Sequence, residues 1–218
     1  MQVEAWALLP AHNEGPRLGT VIEGLELPVL VVDDRSEDDT AEVARDHGAT
    51  VIASQRSGYA GTIATGHRWL RDQGIYRCVQ LDADGQHPTH EAQRLLAALD
   101  GANWVIGSRQ GTRSPTSLRR RLGSAALGAS VRALTGLALK DVTSGFWACD
   151  ETAIALLAQL DGDVADANLR VLAWRRGLLM RELPVDMAAR SEGTSMHDGW
   201  RGLANMGRSL RAMAQALG

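Results

Sequence analysis

The chain has 218 residues, of which 44% are hydrophobic, so it can bury a sizeable core and fits one domain or one domain with a modest appendage. Its two cysteines, Cys78 and Cys149, lack metal-type spacing and form no disulfide framework, which excludes a small disulfide-stabilised fold and indicates a reducing cytoplasm. No run approaches 18 apolar residues and no signal peptide is evident, so we expect no membrane-spanning segment.

The formal net charge of −3 is divided unevenly along the chain. Residues 1–110 carry 9 basic and 16 acidic side chains, whereas residues 111–218 carry 14 basic and 10 acidic ones. A positive half is typical either of a surface that meets an anionic substrate or membrane, or of an ordinary solvated face. We expect no nucleic-acid partner.

Short apolar runs alternate with amphipathic segments through the first half of the chain. Strands are predicted at residues 6–9, 29–32, 50–53, 77–81 and 104–106, and helices at residues 16–25, 38–47, 62–73 and 89–99. This alternation predicts an α/β fold whose central sheet is mostly parallel and carries helices on both faces. Polar clusters follow the first, second and fourth strands, at the sheet edge where such folds bind ligands.

The pattern loosens after Arg109. Residues 110–117 form a polar, proline-containing loop suited to a lid, and residues 118–134 a weak helix. Two helices are predicted within residues 151–177, and a last strand at residues 178–185. A C-terminal helix carries an apolar stripe of Trp200, Leu203, Met206, Leu210, Met213 and Leu217. This stripe would pack on its own domain, meet a second copy of the chain, or rest among lipid headgroups as a peripheral membrane contact.

Two carboxylates one residue apart follow the fourth predicted strand. In an extended chain, residues i and i+2 point the same way, so Asp82 and Asp84 can face one ion. Gly85 gives the turn the freedom to bring Gln86 back beside them. Carboxylate and amide oxygens suit Mg²⁺ or Mn²⁺ completed by substrate phosphates, although a bare Asp-x-Asp is more often a solvated turn.

Several short motifs occur in a fixed order along the chain. They are PAHNE at residues 10–14, VVDDRSEDDT at 31–40, GYAG at 58–61 with Gly66, DADGQH at 82–87, GSR at 107–109, DVTSGF at 141–146, Asp166, ELPV at 182–185 and RSEGTS at 190–195. This series closely resembles the family 2 glycosyltransferases of the GT-A fold. The nearest branch resembles the polyprenyl-phosphate hexose synthases, dolichyl-phosphate mannose synthase among them. Residues 1–195 are therefore expected to form the catalytic domain, and residues 196–218 the C-terminal amphipathic helix.

The resemblance implies which residues hold the nucleotide-sugar donor and its metal. Asp82, Asp84 and Gln86 would bind Mg²⁺ or Mn²⁺, which neutralises the diphosphate as the sugar leaves. The residues implied to contact the donor are Pro10, Ala11, Asn13, Glu14, Asp34, Gly58, Gly61, Asp82 and Ala83. For Asp33, Asp38 and Asp39 the simpler interpretation is a role in turns and helix capping. Arg56 stands where the family usually has asparagine, which puts the donor specificity in doubt.

Four residues are candidates for the transfer step itself, namely Asp84, Arg109, Asp166 and Arg190. Each arginine is implied to form a bidentate contact with donor or acceptor phosphate, which arginine does better than lysine. Asp166 matches an acidic position that serves as a base when the acceptor is a hydroxyl. A lipid phosphate is already anionic, so base, sugar-positioning and helix-surface roles for Asp166 all stay open. Asp141 is expected to line the sugar pocket.

His87 and His90 form a His-x-x-His pair, but a zinc site is not favoured, because no third ligand is evident and Pro88 disrupts the local helix.

Taken together with the family resemblance, the sequence predicts a metal-dependent inverting glycosyltransferase that uses a donor of the GDP-mannose or UDP-glucose type. The expected acceptor is polyprenyl phosphate, and the alternative is a soluble hydroxyl. A non-catalytic nucleotide-sugar-binding module is the alternative of a different class. The expected location is the cytoplasm, with contact at the inner face of the membrane and homodimerisation both left open.

Overall fold

The computed structural model describes residues 5–109, 118–160 and 166–187, with the side chains of residues 118–123 and 166–167 left outside that description. Within these ranges the strands are β1 Ala5–Ala11, β2 Val29–Asp33, β3 Thr50–Ala53, β4 Arg77–Gln80, β5 Trp104–Ser108, β6 Trp147–Asp150 and β7 Met180–Pro184. The helices are α1 Gly15–Glu23, α2 Thr40–Asp46, α3 Tyr59–Asp72, α4 Ala92–Ala97, α5 Leu118–Thr135, α6 Glu151–Ala158 and α7 Asp166–Arg175, and a 3-10 turn at Thr89–Glu91 precedes α4.

The seven strands form one sheet in the order β3-β2-β1-β4-β6-β5-β7. Strand β6 is antiparallel to both of its neighbours, and every other neighbouring pair is parallel. One hydrophobic core lies between the sheet and α3, α5, α6 and α7, and a second lies between the sheet and α1, α2 and α4. The predicted α/β architecture, mostly parallel with helices on both faces, is confirmed.

Strand β6 was not predicted. It has only four residues, it directly follows the Ser-Gly-Phe turn, and α6 begins at the next residue. A run this short offers no alternation that would distinguish a strand from a turn. Its register pairs Cys149 with Cys78 of β4 and Trp147 with Ile106 of β5, so it fills the gap between two parallel strands.

Strand β1 continues beyond the point where Pro10 was predicted to end it. Pro10 pairs with Val32 of β2, and Ala11 pairs with Asp33. The other neighbour, β4, pairs with β1 only as far as Leu8. Pro10 therefore lies where β1 has lost one neighbour, and proline is tolerated at such an edge because no ladder hydrogen bond is sacrificed.

Six strands point the same way, so their carboxyl ends meet at one edge of the sheet. The connections from β1 lead first to β2 and β3 on one side and then to β4 on the other, which makes the β1–β4 boundary a topological switch point. Ligands of open α/β sheets bind in the crevice at such a point. The predicted lid (residues 110–117) and the C-terminal stripe lie outside the described residues. Among the described helices, none is long and apolar enough to cross a membrane.

Candidate active site

The loop that follows β1 is held against the loop that follows β2. The backbone N–H of Asn13 donates to Ser36 Oγ at 3.0 Å, and that of Glu14 donates to Thr40 Oγ1 at 2.9 Å. The side-chain oxygen of Asn13 accepts from the N–H of Glu37 at 2.8 Å. Asn13 has a φ of 56°, a left-handed conformation that asparagine adopts more readily than most residues. These bonds fix the backbone of the predicted nucleotide loop, which starts from Pro10 and Ala11 at the end of β1.

Asp33 and Asp38 act within the second loop. Asp38 accepts hydrogen bonds from the N–H of Thr40 at 3.0 Å and of Gly15 at 3.2 Å, while Asp33 accepts from the N–H of Ser36. The hydrogen bond from the Thr40 hydroxyl, aided by these N–H groups, holds the pKa of Asp38 below its usual value. Both carboxylates therefore organise turns, which agrees with the simpler interpretation of the sequence.

Asp34 and Gly58 are brought together although 24 residues separate them. One carboxylate oxygen of Asp34, Oδ2, accepts from the N–H of Gly58 at 2.7 Å. Gly58 has a φ of 89°, where any side chain would strain the backbone, and α3 starts at the next residue. The other oxygen, Oδ1, is buried and has no hydrogen-bond partner among the residues that the structure describes. A buried acceptor of this kind is costly unless a ligand satisfies it.

Gly61 lies in the first turn of α3 and has a packing reason to lack a side chain. A Cβ atom at this position would come within 2.5 Å of the carbonyl oxygen of Arg56. The glycine thus lets α3 start directly over the preceding loop. Contact between Gly61 and a donor stays a prediction.

The predicted metal ligands cluster after β4. Gly85 has a φ of 77° and turns the chain back, so that the N–H of Gln86 donates to Asp84 Oδ1 at 3.0 Å and its side-chain amide donates to Oδ2. Asp82 is 41% exposed at its side chain, Asp84 is half-buried, and Ala83 between them is buried. Two reachable carboxylates and an amide form a donor set of hard oxygens, which fits Mg²⁺ or Mn²⁺ with positions left for phosphate.

His87 fixes the backbone of the segment that carries the predicted metal ligands. Its Nδ1 accepts the backbone N–H of Asp82 at 2.9 Å, so the ring proton lies on Nε2, which is 3.7 Å from Asp82 Oδ2. The ring is buried and stacks on Phe146, with centroids 5.1 Å apart. This supporting contact of His87 was not predicted from the sequence, which placed the residue in the DADGQH motif and offered no third ligand for a His87–His90 zinc site.

Arg109 extends from the end of β5 and binds Asp141. Its Nε and Nη2 each donate to a different carboxylate oxygen at 2.7 Å, and its backbone N–H adds a third bond at 3.1 Å. Burial raises the pKa of Asp141, but the hydrogen bonds and positive charge of Arg109 outweigh it and lower the pKa overall. Glu182 of β7 accepts the N–H of Asp141 at 2.6 Å. Two guanidinium nitrogens thus hold the 141–146 turn, and contact of Arg109 with phosphate stays a prediction.

The 141–146 turn lies directly against the predicted metal ligands. A Cβ atom at Gly145 would be 3.0 Å from Asp82 Oδ1, so only glycine allows this approach without a shift. The carbonyl of Ser144 accepts from Nη2 of Arg170 at 3.0 Å. Arg170 is fully buried and its guanidinium lies 4.4 Å from the ring centroid of Trp104. Arg170 was not predicted as a site residue, because an arginine in a helix is normally solvated.

The family of the chain is shown by comparison with known families. Residues 6–154 match the model of the family described as "Glycosyl transferase family 2". The chain belongs to glycosyltransferase family 2.

Two characterised relatives of this glycosyltransferase resemble it over most of their length. The undecaprenyl-phosphate mannosyltransferase of Micrococcus luteus is 31% identical over 88% of this chain and 86% of its own. The polyprenol monophosphomannose synthase of Mycolicibacterium smegmatis is 28% identical over 88% of this chain and 80% of its own.

Solved structures establish the GT-A fold of this glycosyltransferase. The glucosyl-3-phosphoglycerate synthase of Mycobacterium tuberculosis, crystallised with Mn²⁺, UDP and glucosyl-3-phosphoglycerate, superposes with a TM-score of 0.71 over 99% of this chain and 80% of its own. The mannosyl-3-phosphoglycerate synthase of Rubrobacter xylanophilus gives 0.75 over 99% and 74%. Each is 20% identical to this chain, so the likeness concerns the fold.

Two predicted residues of the glycosyltransferase lie wholly or partly beyond these observations. Helix α7 starts at Asp166, but the side chain of this residue is outside the described set. Arg190 lies outside the described residues altogether. Their roles stay predictions.

Proposed function

We propose that this glycosyltransferase transfers a hexose, with mannose as the first candidate, from a nucleotide-diphosphate sugar to a polyprenyl phosphate. The acceptor and the sugar follow from the two relatives named above, which match 88% of this chain. The donor assignment rests on carboxylate oxygens at the sheet edge: Asp34 Oδ1, which has no hydrogen-bond partner among the described residues, follows β2, and Asp82 and Asp84 follow β4. These two positions lie on either side of β1, next to the switch point.

The donor would lie across the ends of β2, β1 and β4. Adjacent strands are about 4.8 Å apart, so a nucleoside at Asp34 and a diphosphate at Asp82 would be separated by two strand spacings, about 10 Å. Asp34 Oδ1 would accept a hydrogen bond from the ribose or base. The fixed backbone of residues 10–14 lies between the two groups and would line the nucleotide. GDP-mannose is the first donor to test, and UDP-glucose the second.

Asp82, Asp84 and Gln86 would hold Mg²⁺ or Mn²⁺, which supplies Lewis-acid neutralisation of the leaving diphosphate when bound. Hydrogen bonds within the protein already orient these ligands in the absence of substrate. Gln86 donates two hydrogen bonds to Asp84, and His87 holds the backbone of Asp82. Side chains fixed in this way lose little conformational entropy when they bind.

In the transfer step, an oxygen of the acceptor attacks the anomeric carbon from the face opposite the diphosphate. The new carbon–oxygen bond forms as the bond to the diphosphate breaks, the electron pair leaves with the diphosphate, and the configuration inverts. A phosphate acceptor is anionic, so it needs no proton removed before it attacks. Arg109 and Arg190 would contact donor or acceptor phosphate, and Asp166 would position the sugar or, with a hydroxyl acceptor, act as the base.

The test combines donor binding with product formation. Thermal-shift titrations with GDP-mannose and UDP-glucose, each with Mn²⁺ and with EDTA, identify the donor, because a ligand at 100 times its dissociation constant stabilises by about 2.7 kcal/mol. The selected donor is then incubated with polyprenyl phosphate, and the lipid product is extracted. A metal-dependent lipid-linked hexose supports the proposal. A bound donor that reacts with no polyprenyl phosphate would refute the acceptor assignment.

A soluble phosphorylated acceptor is the second candidate. It is favoured by the phosphoglycerate-using enzymes whose folds superpose on nearly the whole chain. The same incubation with 3-phosphoglycerate distinguishes the two acceptors, because its glycosylated product stays in the aqueous phase.

A further inference from the structure

A second cluster of metal-ligating side chains lies inside the sheet core, away from the catalytic edge. It consists of His67 of α3, Cys78 of β4 and Cys149 of β6, all of them fully buried. The imidazole nitrogen and the two sulfur atoms lie within 4.8 Å of one another. Within the part of the chain that the structure describes, this is the only group of three or more His, Cys, Asp and Glu side chains arranged in this way.

The histidine presents the correct nitrogen to the sulfur atoms. Its Nδ1 lies 2.8 Å from the carbonyl oxygen of Ile63, and since a carbonyl only accepts, Nδ1 must carry the proton. Nε2 is therefore left with its lone pair, 4.0 Å from Cys149 Sγ. Metal-binding histidines are usually held in this manner, with the other ring N–H donated to a carbonyl or carboxylate. The ring also stacks on Trp147, with centroids 5.5 Å apart, which restricts its rotation.

The two cysteines are presented side by side. Cys78 and Cys149 are directly paired in the antiparallel β4–β6 ladder, so their side chains project from the same face of the sheet. Zinc bonds to sulfur are about 2.3 Å long and those to histidine nitrogen about 2.0–2.1 Å. Ligand angles between tetrahedral and trigonal values then place nitrogen and sulfur about 3.6–3.8 Å apart. The observed 4.0 Å between Cys149 Sγ and His67 Nε2 is within a few tenths of an ångström of this range, and all three ligand atoms, which lie within 4.8 Å of one another, need move by no more than about 1 Å.

We propose that His67, Cys78 and Cys149 supply three of the four ligands of a tetrahedral zinc ion that joins α3 to β4 and β6, with one bound water as the fourth. Two thiolates, a neutral imidazole and Zn²⁺ sum to zero charge, which suits a site that has no contact with solvent. Soft sulfur ligands disfavour Mg²⁺ and Mn²⁺, the ions that suit the oxygen ligands after β4. Cys78 precedes Asp82 by four residues, which is about 13 Å along an extended strand, so one ion cannot serve both sites.

The site would connect helix α3 and the parallel strand β4 to the antiparallel strand β6. Helix α3 follows the Gly58 turn, and β6 follows the turn that contacts Asp82. An ion bound by His67, Cys78 and Cys149 would link the antiparallel strand β6 to helix α3 and to the parallel strand β4. Its loss would lower the stability of the protein without removing a group from the catalytic edge, so this inference does not depend on the proposed reaction.

The test measures zinc in the purified, reduced protein by inductively coupled plasma mass spectrometry. All samples carry Asp84→Ala, so that zinc bound by the carboxylates after β4 is not counted. We expect about one zinc ion per chain. Cys78→Ser, Cys149→Ser and His67→Gln should each abolish binding, while His47→Gln, a substitution at an exposed histidine just after α2, should retain it.

A second measurement keeps the proposal testable if a core variant fails to fold. Cobalt(II) replacing zinc in the Asp84→Ala protein should give the intense near-ultraviolet absorption of thiolate-to-cobalt charge transfer. Folded protein that binds neither zinc nor cobalt would overturn the proposal. So would a disulfide between Cys78 and Cys149 in protein purified without reductant.

Discussion

Arg109 and Asp141 form a bidentate ion pair that joins the end of β5 to the turn before β6, with both side-chain bonds at 2.7 Å. Asp141 is only 4% exposed, whereas the side chain of Arg109 is 25% exposed. A carboxylate at this depth keeps its charge because the guanidinium is beside it. The pair therefore anchors the turn that contacts Asp82.

Arg109→Ala should lower the free energy of unfolding by about 2–4 kcal/mol, because it leaves a buried charge without its partner. Arg109→Lys should recover only part of this loss, since lysine restores the charge but not the two-pronged geometry. Urea denaturation measures both. Arg71→Ala is the matched control: its ion pair with Asp72 is exposed, and its removal should cost less than about 1 kcal/mol. Equal effects of Arg109→Ala and Arg71→Ala would contradict the structural role.

The same pair predicts a dependence of stability on acid. Burial raises the pKa of Asp141, and Arg109 lowers it by more, so the folded pKa is below the unfolded value of about 3.9. A depressed carboxyl pKa contributes stability above the unfolded value, and this contribution is lost as the pH falls through the folded pKa. The unfolding free energy should therefore decrease below about pH 4, and Asp141→Asn should show a flatter decrease. If the unfolding free energies of the wild-type and Asp141→Asn proteins decreased with equal slopes below pH 4, Asp141 would be excluded as the cause of the acid dependence.

Asp84→Ala should abolish sugar transfer and leave the fold intact, because one of the two proposed carboxylate ligands is removed. Electron paramagnetic resonance of added Mn²⁺ measures metal binding separately from activity, and circular dichroism checks the fold. Asp72→Ala, at an exposed carboxylate of α3, should change neither Mn²⁺ binding nor sugar transfer. Full activity of the Asp84→Ala protein would remove the basis of the metal assignment.

Asp34→Ala should weaken donor binding more than it slows transfer. A hydrogen bond to a charged group contributes about 1.5–3 kcal/mol, which corresponds to a rise of about 10- to 150-fold in the donor KM. The turnover number should change much less, because Asp34 lies two strands away from the predicted metal ligands. Asp46→Ala, at an exposed end of α2, is the control. An unchanged donor KM would show that the buried oxygen of Asp34 faces no donor group.

Asp166→Asn should retain substantial activity on polyprenyl phosphate, because an anionic acceptor needs no base. A catalytic base contributes about 10²–10⁴ to a rate, so a loss in that range on the lipid phosphate would establish a base role instead. The pH dependence of kcat provides a second readout, since removal of a base also removes its titration from the profile.

The succession of strands along the chain and the edge expected to carry the site follow from periodicity and from polar residues at strand ends, whereas the order of the strands within the sheet was not predicted. Hydrophobic pattern predicted six of the seven strands, most clearly buried ones such as β2 and β5, which form nearly continuous apolar runs. It missed β6, whose partners lie about 70 residues upstream and 40 residues upstream in β4 and β5. Pairing between distant segments leaves no local signal in so short a run.

Side-chain partners were harder to predict than positions. Asp141 was expected to line a sugar pocket, and its bond to Arg109 joins segments 32 residues apart. His87 was considered for zinc because of the nearby His90, and its contact with the Asp82 backbone depends on how the turn closes. Cys78 and Cys149 have no informative spacing in sequence, and only the unpredicted strand brings them together. Long-range contacts of this kind are set by tertiary structure.

Because β6 runs against its neighbours, it enters the sheet at the same edge where the parallel strands end. The turn before it is thus delivered to the catalytic edge by a strand whose own place in the sheet is fixed by ladders on both sides. The turn itself has little freedom to vary, because Asp141 at its start is paired with Arg109 and Gly145 lies against Asp82. A single short strand of reversed direction thus gives this edge of the sheet a rigid boundary beside the predicted metal ligands.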